Sequence, residues 1–179
     1  MRALKVIKWI LLAALALAAL LLAIGASLPG RFEVRRSLVI GAAPERVFGF
    51  VARPRSWPQW SVWNRRDPAM KIDYFGPESG LGAGWSWKSR SEGDGRMLLT
   101  LAESPARVKF DLAFTDFDQP VEGELTFEPA GTGTRATWIM RGDMGRSPLN
   151  HWFAFFADRL MGPDFEGGLA NLKRLAEAR

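Results

Sequence analysis

An uncharged run of twenty residues, 9–28, is the feature that most restricts how this chain of 179 residues folds. The run consists mostly of Leu and Ala, and as an α-helix rising about 1.5 Å per residue it matches a hydrocarbon core of roughly 30 Å. It is long enough to span a membrane. Residues 1–30 are therefore predicted to form a basic tail and a transmembrane anchor, and residues 31–179 are left to form one domain.

A cleaved secretory signal peptide is the alternative interpretation of this run. Arg2, Lys5 and Lys8 form a basic leader, and the small residues within 23–26 offer a site for cleavage. The apolar core of a signal peptide usually has only about 7–15 residues, so length favours an uncleaved anchor. Trp9 follows Lys8 at the position where an interfacial aromatic residue would lie.

The basic residues on either side of the run bear on its orientation. Three precede it, and three follow at positions 31, 35 and 36. A short and wholly basic tail favours a single-pass protein with a cytoplasmic N-terminus and the domain on the outer side of the membrane. Of the 24 basic residues, the 21 from Arg31 onward face 19 acidic ones, so the domain is near neutral. Because no basic stripe or motif lies outside the tail, we expect no nucleic-acid partner.

Composition excludes several kinds of chemistry. The chain has no Cys, which rules out disulfides, thiolate zinc sites and cysteine nucleophiles, and its one His weakens metal and triad interpretations. We therefore expect no cofactor and no metal. The weak catalytic candidates are His151 and Tyr74, with Asp73 or Asp111 as an acid if a strand register differs from the prediction. A surface or capping role is the alternative for His151.

From residue 31 onward, the pattern predicts a curved, seven-stranded antiparallel sheet and one long C-terminal helix. Strands are expected at 32–40, 70–75, 84–91, 95–102, 106–114, 121–129 and 133–142, separated by turn residues that include 116–120. A helix follows Ala43, and a short second one carries Trp57, Trp60 and Trp63, whose rings either fill one end of the core, rim a cavity or contact lipid headgroups. Apolar residues at steps of three and four predict a helix of about thirty residues after Ser147, kinked or interrupted at 162–163 and 167–168.

Strand registers separate an apolar face from a charged one. If Leu125 pairs with Phe110 on one side and with Trp138 on the other, the apolar side chains, including Leu101, lie on one face of the sheet. The same registers place Glu128 opposite arginines on the other face. The long helix is the element that can cover the apolar face, enclosing either a solid core or a ligand cavity. The predicted ligand-lining residues are Trp85, Trp87, Met97, Leu99, Phe110, Leu112, Leu125, Phe127, Trp138, Met140, Phe156 and Leu160.

Five segments carry a resemblance to a known family. They are APERVF at 43–48, WPQWSVW at 57–63, GLGAGWSW at 80–87, GTRATW at 133–138 and FEGGLANLK at 165–173. With the order of elements, they resemble the START-like, or birch-pollen-allergen-like, helix-grip superfamily, and within it the membrane-anchored bacterial proteins labelled polyketide cyclase/dehydrase-like. The resemblance covers 31–179. It implies an α+β helix-grip fold with a cavity for a hydrophobic ligand between sheet and helix, and no shared set of catalytic residues.

Three functions follow as hypotheses. The anchor and the apolar face favour a membrane-tethered binding module for a lipid or other small hydrophobic ligand. A cyclase, dehydratase or hydrolase using the same cavity is the first alternative. The second is a co-chaperone-like module in which Trp152, Phe153 and Phe155 dock a protein partner or the membrane, because one narrow helical stripe cannot bury all the aromatic residues between 152 and 156.

Overall fold

A computed structural model describes residues 2–115 and 120–178 of the chain. The elements are α1 (Arg2–Ser27), β1 (Arg31–Ile40), α2 (Pro44–Val51), a 3₁₀ turn (Pro54–Ser56), α3 (Trp57–Trp60), α4 (Val62–Arg66), β2 (Lys71–Phe75), β3 (Gly84–Lys88), β4 (Gly95–Glu103), β5 (Arg107–Phe114), β6 (Val121–Ala130), β7 (Gly133–Asp143) and α5 (Pro148–Glu177). The strands form one antiparallel sheet in the order β1-β7-β6-β5-β4-β3-β2. The predicted α+β helix-grip architecture is confirmed. Most of the turn predicted at 116–120 lies outside the described residues.

The register between β5 and β6 differs from the prediction by two residues. Val108 pairs with Leu125, and Phe110 pairs with Gly123. A Cβ at position 123 would lie 2.1 Å from the Phe110 ring, so the ring occupies space that only a glycine leaves free. Because side chains alternate with a period of two, this shift leaves every residue on its predicted face. The predicted β6–β7 pairing of Leu125 with Trp138 is confirmed.

A β-bulge in β4 reverses the face of one predicted residue. The register against β5 shifts between Leu99 and Leu101, so that Leu101 pairs with Lys109 while Ala102 pairs with Val108. A bulge adds one residue to a strand and thereby inverts the alternation beyond it. Leu99 is fully buried, but the prediction that Leu101 faces inward is wrong.

The charged face of the sheet carries ion pairs between neighbouring strands. Arg107 pairs with Glu103 at 2.7 Å and with Glu124 at 3.7 Å, and Arg141 pairs with Glu33 at 2.7 Å. Glu128, the predicted partner of Arg107, lies opposite Arg135 alone because of the shifted β5–β6 register. Arg107, Arg141 and Glu33 are 38–43% exposed, so each of these surface pairs contributes about 0–1 kcal/mol.

Helix α5 runs from Pro148 to Glu177 across the inner face of the sheet, so the predicted interruptions do not occur. Arg36 of β1 contacts α5 on both sides of Pro163. Its guanidinium donates to Asp158 at 2.7 Å and to Glu166 at 2.7 Å, one on each side of the proline. Hydrogen bonding to Asp158, and then to Glu166, raises the pKa of Arg36 above its usual value. This clamp holds the turns before and after Pro163 against one strand.

Helix α1 stands apart from the domain for most of its length. Among the described residues, the segment Lys5–Ser27 is the one helix long and apolar enough to cross a membrane. Nearly all of its side chains are exposed, and Gly25 is its one buried residue of those described. Such an exposed apolar helix is either a membrane span or a signal sequence, because the core helix of a soluble protein would be covered.

Candidate functional site

A cavity of about 290 Å³ lies between α5 and one end of the sheet. Antiparallel pairing aligns the start of β1 at Arg31 with the end of β7 at Asp143, and continues through the start of β6, the end of β5, the start of β4 and the end of β3. We call this the proximal end of the sheet, because α1 joins β1 there. The cavity lies at the proximal end, and its lining includes Phe32 near the start of β1.

The cavity walls are almost entirely apolar and rich in methionine. Every methionine of the chain except Met1 contributes to them: Met70, Met97, Met140, Met144 and Met161. Aromatic and aliphatic side chains complete the walls: Phe32, Trp57, Trp63, Trp85, Trp87, Leu112, Phe114, Val121 and Phe153. Methionine is unbranched and polarizable, so it adapts to irregular apolar shapes. A wall of this composition suits a hydrophobic molecule and tolerates variation in its shape.

Polar groups are concentrated where α4 meets the turn between β3 and β4. The polar or backbone-exposing lining residues there are Ser61, Asn64, Glu92, Gly93 and Asp94. The Asn64 amide donates to the sulfur of Met70 at 3.6 Å, while Ser61 is 1% exposed. The cavity therefore has an apolar body and one end at which a ligand can form hydrogen bonds.

An ion-paired arginine joins the three elements that border this polar end. Arg66 of α4 donates to Glu92 of the β3–β4 turn at 3.4 Å and also to Asp164 of α5. The Trp63 indole donates to Asp164 at 3.1 Å. Hydrogen bonding to Asp164 raises the pKa of Arg66 above its usual value. The arginine thus ties α4, the turn and α5 together beside the cavity.

The predicted lining residues fall into three groups. Five line the cavity: Trp85, Trp87, Met97, Leu112 and Met140. Five others are buried in the adjoining solid core: Leu99, Phe110, Leu125, Phe127 and Trp138. The last two, Phe156 and Leu160, are 40% and 57% exposed. The structure therefore divides the predicted inner face into a hollow part and a filled part.

The outward position of Phe156 and Leu160 corrects the predicted helical stripe. In this part of α5 the buried positions are Ala154, Ala157 and Gly162. Small residues allow the helix to approach β1 closely, and the Arg36 guanidinium occupies the space beside Gly162. Periodicity counted on large side chains misses such a stripe, because it treats alanine and glycine as uninformative.

The tryptophan segment fills the core and also lines the cavity. Trp57 and Trp60 are buried with ring centroids 4.4 Å apart, and Trp138 stacks on Phe165 at 4.3 Å. Trp57 also lines the cavity, together with the half-buried Trp63. The Trp138 indole N–H has no hydrogen-bond partner among the described residues, and its ring meets those of Trp57, Trp60 and Trp63 edge to face. The segment therefore fills part of the core, as predicted, and also contributes Trp57 and Trp63 to the cavity wall.

The weak catalytic candidates do not meet. His151 lies beside α1, with Nδ1 3.0 Å from the Gly25 carbonyl oxygen and Nε2 2.9 Å from that of Gly145. Tyr74 lies on β2 with the Arg55 guanidinium 4.4 Å from its ring centroid, and burial raises its pKa. Neither side chain is part of the cavity wall.

The two acidic candidates lie on the charged face of the sheet. Asp73 is exposed. Asp111 pairs across the strands with Glu122, and its pKa is raised by burial and by that neighbouring carboxylate. Within 2–115 and 120–178, no three His, Cys, Asp or Glu side chains are grouped so as to hold a metal ion.

Sequence reasoning missed the lining residues that lie at strand ends and on helices. They are Phe32, Met70, Phe114, Val121, Met144, Phe153 and Met161, together with the polar group around Glu92. One signal was present: the strand connectivity brings residues 32, 114, 121 and 144 to the same end of the sheet. The scarcity of methionine elsewhere in the chain was a second signal.

Comparison with known protein families concerns the domain that contains the cavity. A family model described as "Polyketide cyclase / dehydrase and lipid transport" matches residues 31–177. No curated protein sequence matches the chain with significance.

Solved structures with the same fold are distant in sequence. Protein CV1439 from Chromobacterium violaceum has a TM-score of 0.60 and 14% identity, over 82% of this chain and 98% of that one. The di-domain ARO/CYC StfQ from the steffimycin biosynthetic pathway has a TM-score of 0.62 and 12% identity, over 82% of this chain and 51% of that one. Truncated norcoclaurine synthase from Thalictrum flavum has a TM-score of 0.61 and 12% identity, over 83% of this chain and 95% of that one. At these identities the likeness concerns the fold alone.

The family match begins where β1 begins and ends where α5 ends. It therefore spans both walls of the cavity and excludes α1. The chain belongs to the polyketide cyclase/dehydrase and lipid transport family, with an additional apolar helix before the family domain.

Proposed function

We propose that this protein is a membrane-tethered binding module that holds a lipid or another small hydrophobic molecule in the proximal cavity. The observation that carries the proposal is the wall itself: an apolar cavity of about 290 Å³ into which five methionines and four tryptophans project. Apolar surface removed from water contributes roughly 25 cal/mol per Å². A hydrophobic guest would therefore be bound by burial, with its orientation set at the polar end.

The tether is supported by α1. Its segment Lys5–Ser27 is apolar, exposed and long enough to span. Arg2, Lys5 and Lys8 at its start favour a cytoplasmic N-terminus, so we propose that the domain lies on the outer side of the membrane. Because α1 joins β1 at the proximal end, a membrane-spanning α1 would keep the cavity close to the bilayer, where hydrophobic molecules partition.

The shape of the cavity supports a particular class of ligand. Its volume is near the lower end of the roughly 300–1,000 Å³ typical of ligand sites. Ser61, Asn64 and Glu92 offer hydrogen-bonding groups at one end only. These features favour an amphipathic molecule with a compact apolar body and one polar end.

Native mass spectrometry of the full chain tests this proposal. We expect a small apolar molecule to co-purify at one per protein and to be lost from Met97→Trp and Met140→Trp, since each variant fills the cavity. Val39→Trp is the matched control, because it adds the same indole at a 41% exposed position on β1, outside the cavity. Near-ultraviolet circular dichroism checks that the variants fold. Equal retention by folded cavity variants and the control, or no bound molecule in the parent chain, would refute the proposal.

An enzyme of the cyclase, dehydratase or hydrolase type is the second candidate. The observation in its favour is Glu92, which lines the cavity with a side chain only 16% exposed and could exchange a proton with a bound molecule. The extracted molecule, returned to ligand-free protein, distinguishes the two functions. An unchanged mass over time favours a binding module. Loss or gain of one water, abolished by Glu92→Gln, favours the enzyme.

A further inference from the structure

An apolar surface on the first half of α5 is left open to solvent in the folded domain. Leu149, Phe155, Phe156 and Leu160 are 63%, 53%, 40% and 57% exposed. Trp152 stacks on Phe156 with ring centroids 6.3 Å apart, and Phe155 meets Phe156 edge to face at 4.9 Å. We call these five residues the aromatic face. Soluble domains rarely leave so continuous an apolar patch in water.

Direct contacts join the aromatic face to α1. The Trp152 indole donates to the Leu21 carbonyl oxygen at 3.2 Å. Gly25, buried against α5, permits this approach, because a Cβ there would lie 2.3 Å from the Pro148 carbonyl oxygen. The start of α5 and the end of α1 are thus packed together over about two turns.

The position of that contact along α1 sets the depth of the aromatic face. Leu21 lies six residues before Ser27, the last residue of α1, which is about 9 Å along the helix axis at 1.5 Å per residue. Interfacial helices bury their apolar side about 5–10 Å into the boundary between headgroups and acyl chains. If α1 spans the bilayer with Ser27 at the membrane surface, Trp152 lies at that depth and Phe156 lies beside it.

The charge around the aromatic face agrees with a lipid surface. Arg159 is exposed one helical turn after Phe155 and Phe156, and Arg146 is exposed just before the helix. Long cationic side chains beside interfacial aromatic residues reach the phosphate level while their methylene stems remain in the apolar layer. A protein partner would not require the aromatic face to adjoin an apolar helix of membrane-spanning length, as it does here.

The same stretch of α5 forms one wall of the cavity. Phe153 and Met161 line the cavity and are half-buried, and Phe153 meets Phe32 at 5.8 Å. One stretch of α5 therefore contributes residues both to the cavity wall and to the aromatic face.

We propose that the aromatic face is a second membrane contact, seated in the bilayer interface beside α1, and that the cavity takes its hydrophobic ligand directly from that leaflet. This inference rests on the tether in the proposed function. The bilayer both covers the exposed aromatic rings and presents the ligand to the cavity.

Site-directed spin labelling of the full chain tests the docking. The chain has no cysteine, so Leu15→Cys, Phe155→Cys and Leu81→Cys each provide a single labelling position. Leu81 is the matched control, an apolar residue 67% exposed in the turn between β2 and β3, at the opposite end of the sheet. The labelled proteins are placed in vesicles of phosphatidylcholine and phosphatidylglycerol, and collisions with oxygen and with a water-soluble nickel chelate are compared.

We expect the labels at 15 and 155 to collide mainly with oxygen, and the label at 81 mainly with the nickel chelate. A label at 155 as accessible to nickel as that at 81, with the label at 15 in lipid, overturns the docking inference and leaves the tether intact. A label at 15 exposed to nickel overturns the tether and the docking inference together.

Uptake from vesicles tests the second part of the inference. The probe is a fluorescent nitrobenzoxadiazole-labelled fatty acid presented in the same vesicles. We expect Phe155→Glu to take it up several-fold more slowly than the parent chain, because a carboxylate at the interface lifts the helix away from the leaflet, while Leu81→Glu leaves the rate unchanged. Equal rates for the two variants contradict direct uptake from the membrane.

Discussion

The two halves of α5 differ in the side they turn toward the sheet. In the second half, from 162 onward, Phe165, Leu169 and Leu172 are buried, while Glu166 and Ala170 face outward. In the first half, from 148 to 161, the buried positions are alanines, Phe153 and Met161 line the cavity, and the other large apolar residues are exposed: Leu149, Phe155, Phe156 and Leu160. One continuous helix thus buries large side chains in its second half and small ones in its first half. The difference teaches that the half next to α1 leaves large apolar side chains uncovered, whereas the other half buries its large apolar side chains in the core.

Arg36 contacts both halves of α5, on either side of Pro163. It binds Asp158 in the first half and Glu166 in the second, with one-quarter of its own side chain exposed. The clamp lies where the buried stripe changes from small side chains to large ones. Three measurements test how far the halves differ: truncation of an aromatic residue in each half, removal of the Arg36 guanidinium, and titration of the Asp158 carboxylate.

Truncating one aromatic residue in each half has the largest expected contrast. Phe165→Ala removes a fully buried ring stacked on Trp138, and we expect it to lower the free energy of unfolding by about 3–5 kcal/mol. Phe155→Ala removes a half-exposed ring, and we expect a change within about 0.5 kcal/mol. Urea unfolding in detergent, followed by far-ultraviolet circular dichroism, measures both. Equal losses would show that the two halves share one core.

Removing the clamp has a smaller expected effect. Arg36→Ala breaks both ion pairs and exposes Gly162, and we expect it to lower the free energy of unfolding by about 1 kcal/mol, since both carboxylates are well solvated. Arg36→Lys restores only part of this loss, because an ammonium cannot match the planar guanidinium fork. Arg35→Ala is the control on the same strand, because Arg35 pairs with Glu33 on the charged face. A loss as large for Arg35→Ala as for Arg36→Ala would mean that the clamp has no special role.

The pH dependence of the clamp is the smallest effect. Hydrogen bonding to Arg36 holds the pKa of Asp158 below its usual value. The carboxylate therefore stabilises the folded state at every pH above its unfolded pKa of about 3.9, and this contribution is lost as the pH falls through the lower pKa of the folded state. We expect the melting temperatures of the parent chain and Asp158→Asn to differ at neutral pH and to converge in strong acid. A difference that grows on acidification would contradict this assignment.

Local pattern was sufficient where one face of a strand meets the core. Alternation placed Phe110, Leu125 and Trp138 on the inner face even though the β5–β6 register is shifted by two, because the period of a strand is two. The bulge beyond Leu99 escaped prediction, since its position depends on how β4 fits β5 and not on β4 alone. The first half of α5 escaped for a related reason: the close approach of Ala154 and Ala157 to the sheet is a property of the packing.

A resemblance carried by five sequence segments implied the helix-grip fold. Local pattern by itself determined the apolar N-terminal helix, the seven strands and the inner and outer faces of the sheet. These features follow from periodicity, turn residues and length, which act locally along the chain. Only the tertiary structure decided that the inner face is filled around Trp138 and hollow around five methionines, and that Phe156 and Leu160 face away from the sheet. A void and an exposed face are the result of how close two elements come to each other, and that distance depends on side chains far apart in the chain.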